Sequence, residues 1–597
     1  MLASLLIVIG IILFILAYRI YGRMLSRKMD IDDTTTTPAH AIQDGVDYVP
    51  AKSPVLLGHH FASIAGAGPI LGPIIASAFG WLPVLIWIII GGIFFGGVHD
   101  MGSLVASIRH QGRSIGQIIE DYLGKGGKML FLIFAYLTMI LVIAVFCKIV
   151  ATTFVSVPAV ATSSFLFILV ALAFGFFISR RKLPLGPTSI IGVVLLFSAI
   201  YAGNKYPMVV YDRFVSPQTE SAIAQLVEEK EVANAHSPVN IKQAFQAREM
   251  TRAYQDVVAA EEKANTFWIY ILLIYVFIAA TTPVWILLQP RDYLNSFLLY
   301  ALVLGGIIGI FFAGPVTTMP SVTGFQTNLG YLFPVLFVTV ACGAISGFHS
   351  LVASGTTAKQ LNKESDAKAI GYGGMLIESV LAIVALVAAA TLARERFSTL
   401  YQSGDFIAVF SEGVGWFMSK IPLIGISQGA AITFAGLAVS AFALTSLDTC
   451  TRLARFALQE FFDVKKAAKP LIVRNRYMAT GITVAISAVF IFSGSSGAIW
   501  PIFGSANQLL AALALLAVSV WLANMKKKNW FTVIPMIFMY AVTLTALVTL
   551  MWQNLHKQNY TLVFVGVFLF IVAVILAVQG GKKLWGKPTL SPQSQSS

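Results

Sequence analysis

Runs of about 17–25 apolar residues recur along most of this 597-residue chain, and an α-helix of that length crosses a hydrocarbon core. Inside lipid every backbone polar group must be bonded within the chain, so such runs direct it into a helical bundle. They fall near 2–22, 56–78, 82–107, 129–152, 163–180, 186–203, 267–288, 293–313, 333–357, 371–393, 424–447, 477–496, 505–524, 530–552 and 560–579. This predicts about fifteen transmembrane helices in one integral membrane domain over 1–597. Only 11% of residues are charged and the mean hydropathy is +0.80, against roughly 25% charged residues in soluble domains. The expected fold class is an all-α polytopic membrane protein.

The formal charge of +14 would suit a nucleic-acid binder, but the placement of Lys and Arg argues otherwise. They gather in alternate connections, such as Arg19–Lys28, Arg109–Lys128, Lys359–Lys368 and Arg452–Arg476, while 79–81, 153–162, 314–332 and 497–504 hold none. Arg394, Arg396 and Lys420 are the exceptions. The positive-inside rule then puts the N-terminus outside and the C-terminus in the cytoplasm, and no nucleic-acid partner is expected. The first run has its basic residues after it, which reads as a retained anchor and not a cleaved signal. Residues 204–266 read as a polar, helical extracytoplasmic excursion, and Gly404–Lys420 as a helix on or dipping into the outer interface. The tail 587–597, ending SPQSQSS, reads as disordered and cytoplasmic. Cys147, Cys342 and Cys450 show neither metal nor disulfide spacing.

Two of the runs cannot be continuous helices. Leu57–Gly80 is interrupted by Gly66, Gly68 and Pro69, and again by Gly72 and Pro73. In a helix interior Gly costs about 1 kcal/mol and Pro about 3 kcal/mol. The run at 333–357 carries Gly343, Ser346, Gly347, His349 and Ser350 at its middle. Unwound backbone at membrane depth is tolerated where it lines a cavity, and paired breaks in helices of opposite direction point to inverted repeats around a midplane site. These breaks lie seven spans apart, so their helices run oppositely. A five-helix repeat would separate them by five, so two helices would have to be inserted between them. The backbone and side chains of Ser63, Gly66, Ala67, Gly68, Ser346, Gly347 and His349 are the candidate substrate site. A free half-helix N-terminus there would suit a carboxylate.

Ionisable residues within spans are rare and usually functional. His59 and His60 lie about one turn into the first broken helix, and His99 and Asp100 at similar depth in the next helix. They form the candidate coupling or gating cluster, read as proton-carrying, as a structural network, or as metal ligands. Glu378 is a further intramembrane carboxylate, and Lys148 either snorkels outward or neutralises an anionic substrate. Thr445, Ser446 and Asp448 offer oxygens to a sodium ion, or Asp448 and Thr449 cap a following helix. Trp500, Pro501 and Asn507 are expected at the outer interface, and Asn507 and Gln508 could bond between helices. The chain has no GxxxxGK[ST] loop, which disfavours ATP-driven transport by this chain alone.

The segments GHHFASIAGAGPILGP (58–73), VHDMGSLVASIRHQGRSIG (98–116), PVWILLQPRDYLNSF (283–297), SGFHSLVASGTTAKQL (346–361), TSLDTCTRLARFALQE (445–460) and WPIFGSANQLLAALALL (500–516) resemble the carbon starvation protein A family. The resemblance implies a bacterial cytoplasmic-membrane transporter with a LeuT-like inverted-repeat core of the amino acid–polyamine–organocation superfamily, plus extra helices. It further implies uptake of peptides during nutrient limitation, or proton-coupled uptake of pyruvate. The expectation is a secondary transporter, not an enzyme, that imports a small carboxylate-bearing nutrient with H⁺ or Na⁺ and needs no cofactor. A membrane-embedded metalloenzyme and a nutrient sensor without a transport cycle are the rival readings.

Overall fold

Large apolar side chains stay exposed along the outer flanks of the helices, as a lipid-facing surface requires: Ile190 is 68% exposed and Phe564 72%. Trp530, Trp552 and Trp585 are exposed near helix ends, the level of the membrane interface. The structure is a computed structural model that describes residues 2–44, 48–179, 181, 183–229, 238–283, 286–422, 425–463, 470–493 and 496–585. The predicted tail 587–597 and residues 230–237 of the predicted excursion lie outside the described residues.

Among the described residues twelve helices are long and apolar enough to cross a membrane, or thirteen with one bent pair counted as a span. The chain is thus an all-α, multi-pass membrane protein. The helices that matter for the site are α1 (Ala3–Lys28), α2 (Ser53–Ile64), α3 (Gly68–Ala76), α4 (Trp81–Arg109), α5 (Ile115–Ser156), α6 (Thr251–Thr281) and α7 (Leu288–Ala313). They are followed by α8 (Leu332–Thr339), α9 (Ala341–Ala344), α10 (Phe348–Gly355), α11 (Gly373–Thr391), α12 (Phe406–Ser419), α13 (Gln428–Phe462) and α14 (Ser496–Asn524). The predicted span 333–357 is divided among α8, α9 and α10, and the one at 477–496 is the shorter apolar helix Arg476–Phe492. This accounts for the difference between twelve or thirteen helices and the expected count.

Helix ends sort onto two faces. On the first, Ala3 N–H donates to Pro315 O (2.9 Å), Leu82 N–H to Ser321 O (2.9 Å) and Thr323 N–H to Phe79 O (3.0 Å). On the second, Arg109 makes a two-pronged pair with Glu364 (2.8 and 2.9 Å) and donates to Asp30 O (2.7 Å). Lys527 pairs with Asp30 there, and Ala51 N–H donates to Gln360 O (2.9 Å). Close by, hydrogen bonds from Thr34 hold the Asp32 carboxyl below the usual carboxylate range. This latched second face carries the basic clusters.

One expectation is corrected. Gly404–Lys420 does not lie on the interface: α12 is built into the bundle, with Phe410, Val414 and Phe417 buried. Small residues permit it, since a Cβ on Gly413 would stand 2.7 Å from Ala388 Cβ. In the 204–266 segment Pro217–Glu228 and Pro238–Ala247 are helical, and α6 begins at Thr251 inside the polar stretch.

Candidate substrate and coupling site

Both breaks are present and they cross. After α2 the backbone leaves helical geometry at Ala65 (φ −75°, ψ 71°), and α3 sets off at an angle of 48° to α2. Pro69 starts α3 without a wasted amide, and Pro73 remains inside it, so the second expected interruption is absent. The later break is the extended residue Ile345 (φ −164°, ψ 127°) between α9 and α10. A Cβ on Gly68 would lie 2.5 Å from the Cβ and Sγ of Cys342, so only glycine lets the segments cross here.

The crossing encloses a cavity of about 20 Å³ lined by Gly66, Gly68, Pro69, Cys342, Ser346, Ser446, Asn507, Phe146 and Phe503 among others. That space suits about one water. The Phe146 and Phe503 rings meet edge to face at 6.0 Å. On the first-face side of this pair lies a cavity of about 300 Å³, lined by Val145, Lys148, Trp500, Asp405 and Tyr401 among others. The space at the breaks is thus far smaller than the cavity above them.

Beneath the breaks stands a buried chain of titratable side chains. His99 Nδ1 and His349 Nδ1 lie 2.7 and 2.8 Å from opposite oxygens of Asp100, and His349 Nε2 lies 3.3 Å from Glu378 Oε2. All four are at most 1% exposed. The bonding fixes proton positions: both imidazoles donate from Nδ1 to the carboxylate. His349 Nε2 thus faces a buried carboxyl that makes no hydrogen bond among the described residues, a placement in which a proton on either group lowers their mutual repulsion. The Ile64 carbonyl at the end of α2 also approaches His349, which joins this chain to the first break.

The candidate substrate residues separate. Gly66, Gly68 and Ser346 line the small cavity, and the Ala67 carbonyl accepts from Ile70 and Leu71 N–H at the start of α3. The Ser63 hydroxyl bonds back to His59 O (2.9 Å) within α2. His349 belongs to the titratable chain, and Lys148 lines the larger cavity. The coupling candidates divide likewise. His60 bonds Thr357 Oγ1 (2.8 Å) and feels the charges of Asp100 and His349, whereas His59 feels Asp292. Successive helical residues point about 100° apart, so the two rings take different partners, although His60 still feels His59.

The Asp448–Thr449 cap is overturned, because α13 runs unbroken through both residues. Asp448 instead pairs with Arg291, and Tyr275 donates to it (2.9 Å), all inside the bundle. Thr445 accepts from Asn295 Nδ2 (3.1 Å), while the buried Ser446 hydroxyl has no hydrogen-bond partner and sits against Gly66. Asn507 is buried inside the bundle, where it makes the expected bonds between helices. Its Oδ1 accepts from Phe348 N–H (3.0 Å), its carbonyl from Gly347 N–H (3.1 Å), and its Nδ2 donates to Ser346 Oγ (3.0 Å). The N-terminus of α10 is thus already capped and is not open to a carboxylate. Arg291 and the capping role of Asn507 were not among the expected site residues. An Arg beside a run of apolar residues (PRDYL) was the available signal for the first.

Among the described residues no three His, Cys, Asp or Glu side chains are arranged around a metal position. In the buried chain the nitrogen–oxygen pairs bond directly, where a metal would have to stand between them.

The sequence profile described as carbon starvation protein CstA matches residues 2–408 and 398–546. The peptide transporter CstA of Campylobacter jejuni is 33% identical over 90% of this chain and 79% of its own length. The peptide transporter CstA of Bacillus subtilis is 30% identical over 96% of both. The pyruvate/proton symporter BtsT of Escherichia coli is 29% identical over 91% of this chain and 80% of its own. A solved manganese transporter from Eremococcus coleocola aligns with TM-score 0.42 and 13% identity, over 91% of this chain and 98% of that one. Matched over nearly its whole length, the chain belongs to the carbon starvation protein CstA family.

Proposed function

We propose that this protein is a secondary active transporter of the bacterial cytoplasmic membrane that imports a small carboxylate-bearing nutrient, a peptide or pyruvate, together with protons. The relatives named as peptide transporters and as a pyruvate/proton symporter support the substrate range. The observation that carries the reading is the buried run of titratable side chains His99, Asp100, His349 and Glu378, which reaches the broken backbone at Ile64. His349 sits one residue into α10, so a movement of that half-helix would change its distance from Glu378 and the hold on a proton there. Alternating access about the crossed breaks, in a LeuT-like inverted-repeat core of about fifteen spans, is part of the proposal. So is the orientation with the N-terminus outside, which the basic residues of the latched face support.

Uptake into proteoliposomes tests it. A pH gradient of one unit supplies about 1.4 kcal/mol per proton, which sustains about tenfold accumulation at one proton per solute in electroneutral transport. Labelled pyruvate or a labelled dipeptide should accumulate under that gradient without sodium. No concentrative uptake of either overturns the reading. Sodium coupling is the second reading, favoured by the unpartnered Ser446 hydroxyl beside Gly66. It predicts accumulation driven by a sodium gradient at symmetric pH.

A further inference from the structure

The 20 Å³ cavity between the breaks is too small for any organic nutrient, whereas the first-face cavity of about 300 Å³ reaches the size of small-molecule sites. It rests on the outer half of the crossed helices through Leu71, Ile75 and Thr339. Its polar groups differ in kind. Asp405 caps α12 through Oδ1, which accepts from Ala408 N–H (3.1 Å), while its buried Oδ2 has no partner at hydrogen-bond geometry among the described residues, with the Ser156 side chain beside the carboxylate. The buried Trp500 indole N–H likewise has no hydrogen-bond partner among the described residues. Asp405 is 94% buried and Trp500 92%, by their residual exposures of 6% and 8%. A buried polar atom left unbonded typically costs about 1–3 kcal/mol. Two of them lining one cavity, an acceptor and a donor, suit a ligand with complementary ends. Lys148 lines the same cavity and adds a cation. Arg396 stands near Asp405 but is held by Glu412 (Nε to Oε2, 2.9 Å).

We infer that this cavity is a loading site for a zwitterion of about dipeptide size, with Asp405 receiving the ammonium and Lys148 and Trp500 the carboxylate. The inference rests on the transporter reading and narrows its substrate class, since a simple 2-oxo monocarboxylate has nothing to offer Asp405. The Phe146–Phe503 pair then stands between loading and the breaks.

The test is equilibrium binding of labelled dialanine to the full chain in detergent, with N-acetyl-dialanine, dialanine amide and pyruvate as competitors. Expected is competition by unlabelled dialanine at least about tenfold better than by either blocked form, because each block removes one charge-assisted contact. Asp405→Asn should abolish the preference for a free amine while keeping that for a free carboxylate. Lys148→Gln should do the reverse. Matching thermal unfolding and elution of the variants, with Asp405→Glu retaining the amine preference, separates recognition from misfolding. End-group preferences unchanged in both variants, or pyruvate competing as well as dialanine, overturn the inference. Concentrative uptake in proteoliposomes is scored separately. Uptake with unchanged end-group preferences refutes this site alone, whereas the expected binding without any uptake refutes the transporter reading alone.

Discussion

Replacing Asn507 by Leu isolates what holds the second break in place. Leu has the same branched heavy-atom skeleton but can neither accept from Phe348 N–H (3.0 Å) nor donate to Ser346 Oγ (3.0 Å). Both groups lie where water has little access, since Ser346 and Phe348 are buried. An amide left unsatisfied costs about 1–3 kcal/mol and the lost hydroxyl bond about 0.5–1.5 kcal/mol, so the α10 N-terminus should lose roughly 1.5–4.5 kcal/mol. The Gly347 amide keeps its partner, because that acceptor is the main-chain carbonyl of residue 507. A Cβ on Gly347 would stand 2.4 Å from that carbonyl oxygen, so α10 and α14 remain in close contact in the variant. Peptide-level hydrogen exchange over 341–355 is the assay. Opening governed by the Phe348 amide should accelerate by roughly five- to a hundredfold, from 1–3 kcal/mol at 1.4 kcal/mol per factor of ten. Asn507→Asp should exchange nearly as slowly as the parent, since a carboxylate still accepts from the amide at a helix N-terminus. If the Leu variant exchanges like the parent, the side-chain cap does not hold the break and the reasoning fails.

Three further perturbations address the rest of the site. Asp100→Asn removes the charge between His99 and His349, so proton-driven accumulation should collapse to equilibration while counterflow of labelled solute persists; full accumulation would refute proton carriage by this chain. Gly68→Ala should lower thermal stability in detergent by about 1–3 kcal/mol through overpacking against Cys342, and Cys342→Gly should restore part of the loss because the two sites are in contact. An additive double variant would deny that the breaks cross there. Arg291→Met leaves Asp448 buried and unpaired and should cost about 3–5 kcal/mol, measured by thermal unfolding, whereas Arg291→Met combined with Asp448→Leu should cost much less.

Much of the site was legible from residue order because the bilayer makes local rules severe. Gly66, Gly68 and Pro69 have no stable place in a continuous helix at membrane depth, so the first break followed from covalent chemistry alone. The second break at Ile345 was legible for the same reason, through Gly343 and Gly347 around it. His99 and Asp100 stood out because ionisable groups are costly in lipid. What could not be read was which side each residue faces. His59 and His60 are neighbours in sequence and diverge in space, toward Asp292 on one side and Thr357 on the other. Asp448 has the composition of a cap, yet α13 continues through it because Arg291, far away in sequence, neutralises it within the bundle.

Residue order alone dictates a membrane-embedded helical bundle, the places where two of its helices must unwind, and which titratable residues are buried in spans. Those properties depend on the length of apolar runs, on the missing amide of proline and the freedom of glycine, and on the cost of placing charge in lipid. Only the tertiary structure decided that the two breaks cross at Gly68 and Cys342, that Asn507 occupies one half-helix end, and that His349 and Glu378 complete the chain begun by His99 and Asp100. Such pairings are long-range. They are set by how whole helices pack against one another, and no local spacing of residues encodes the angle at which two helices meet.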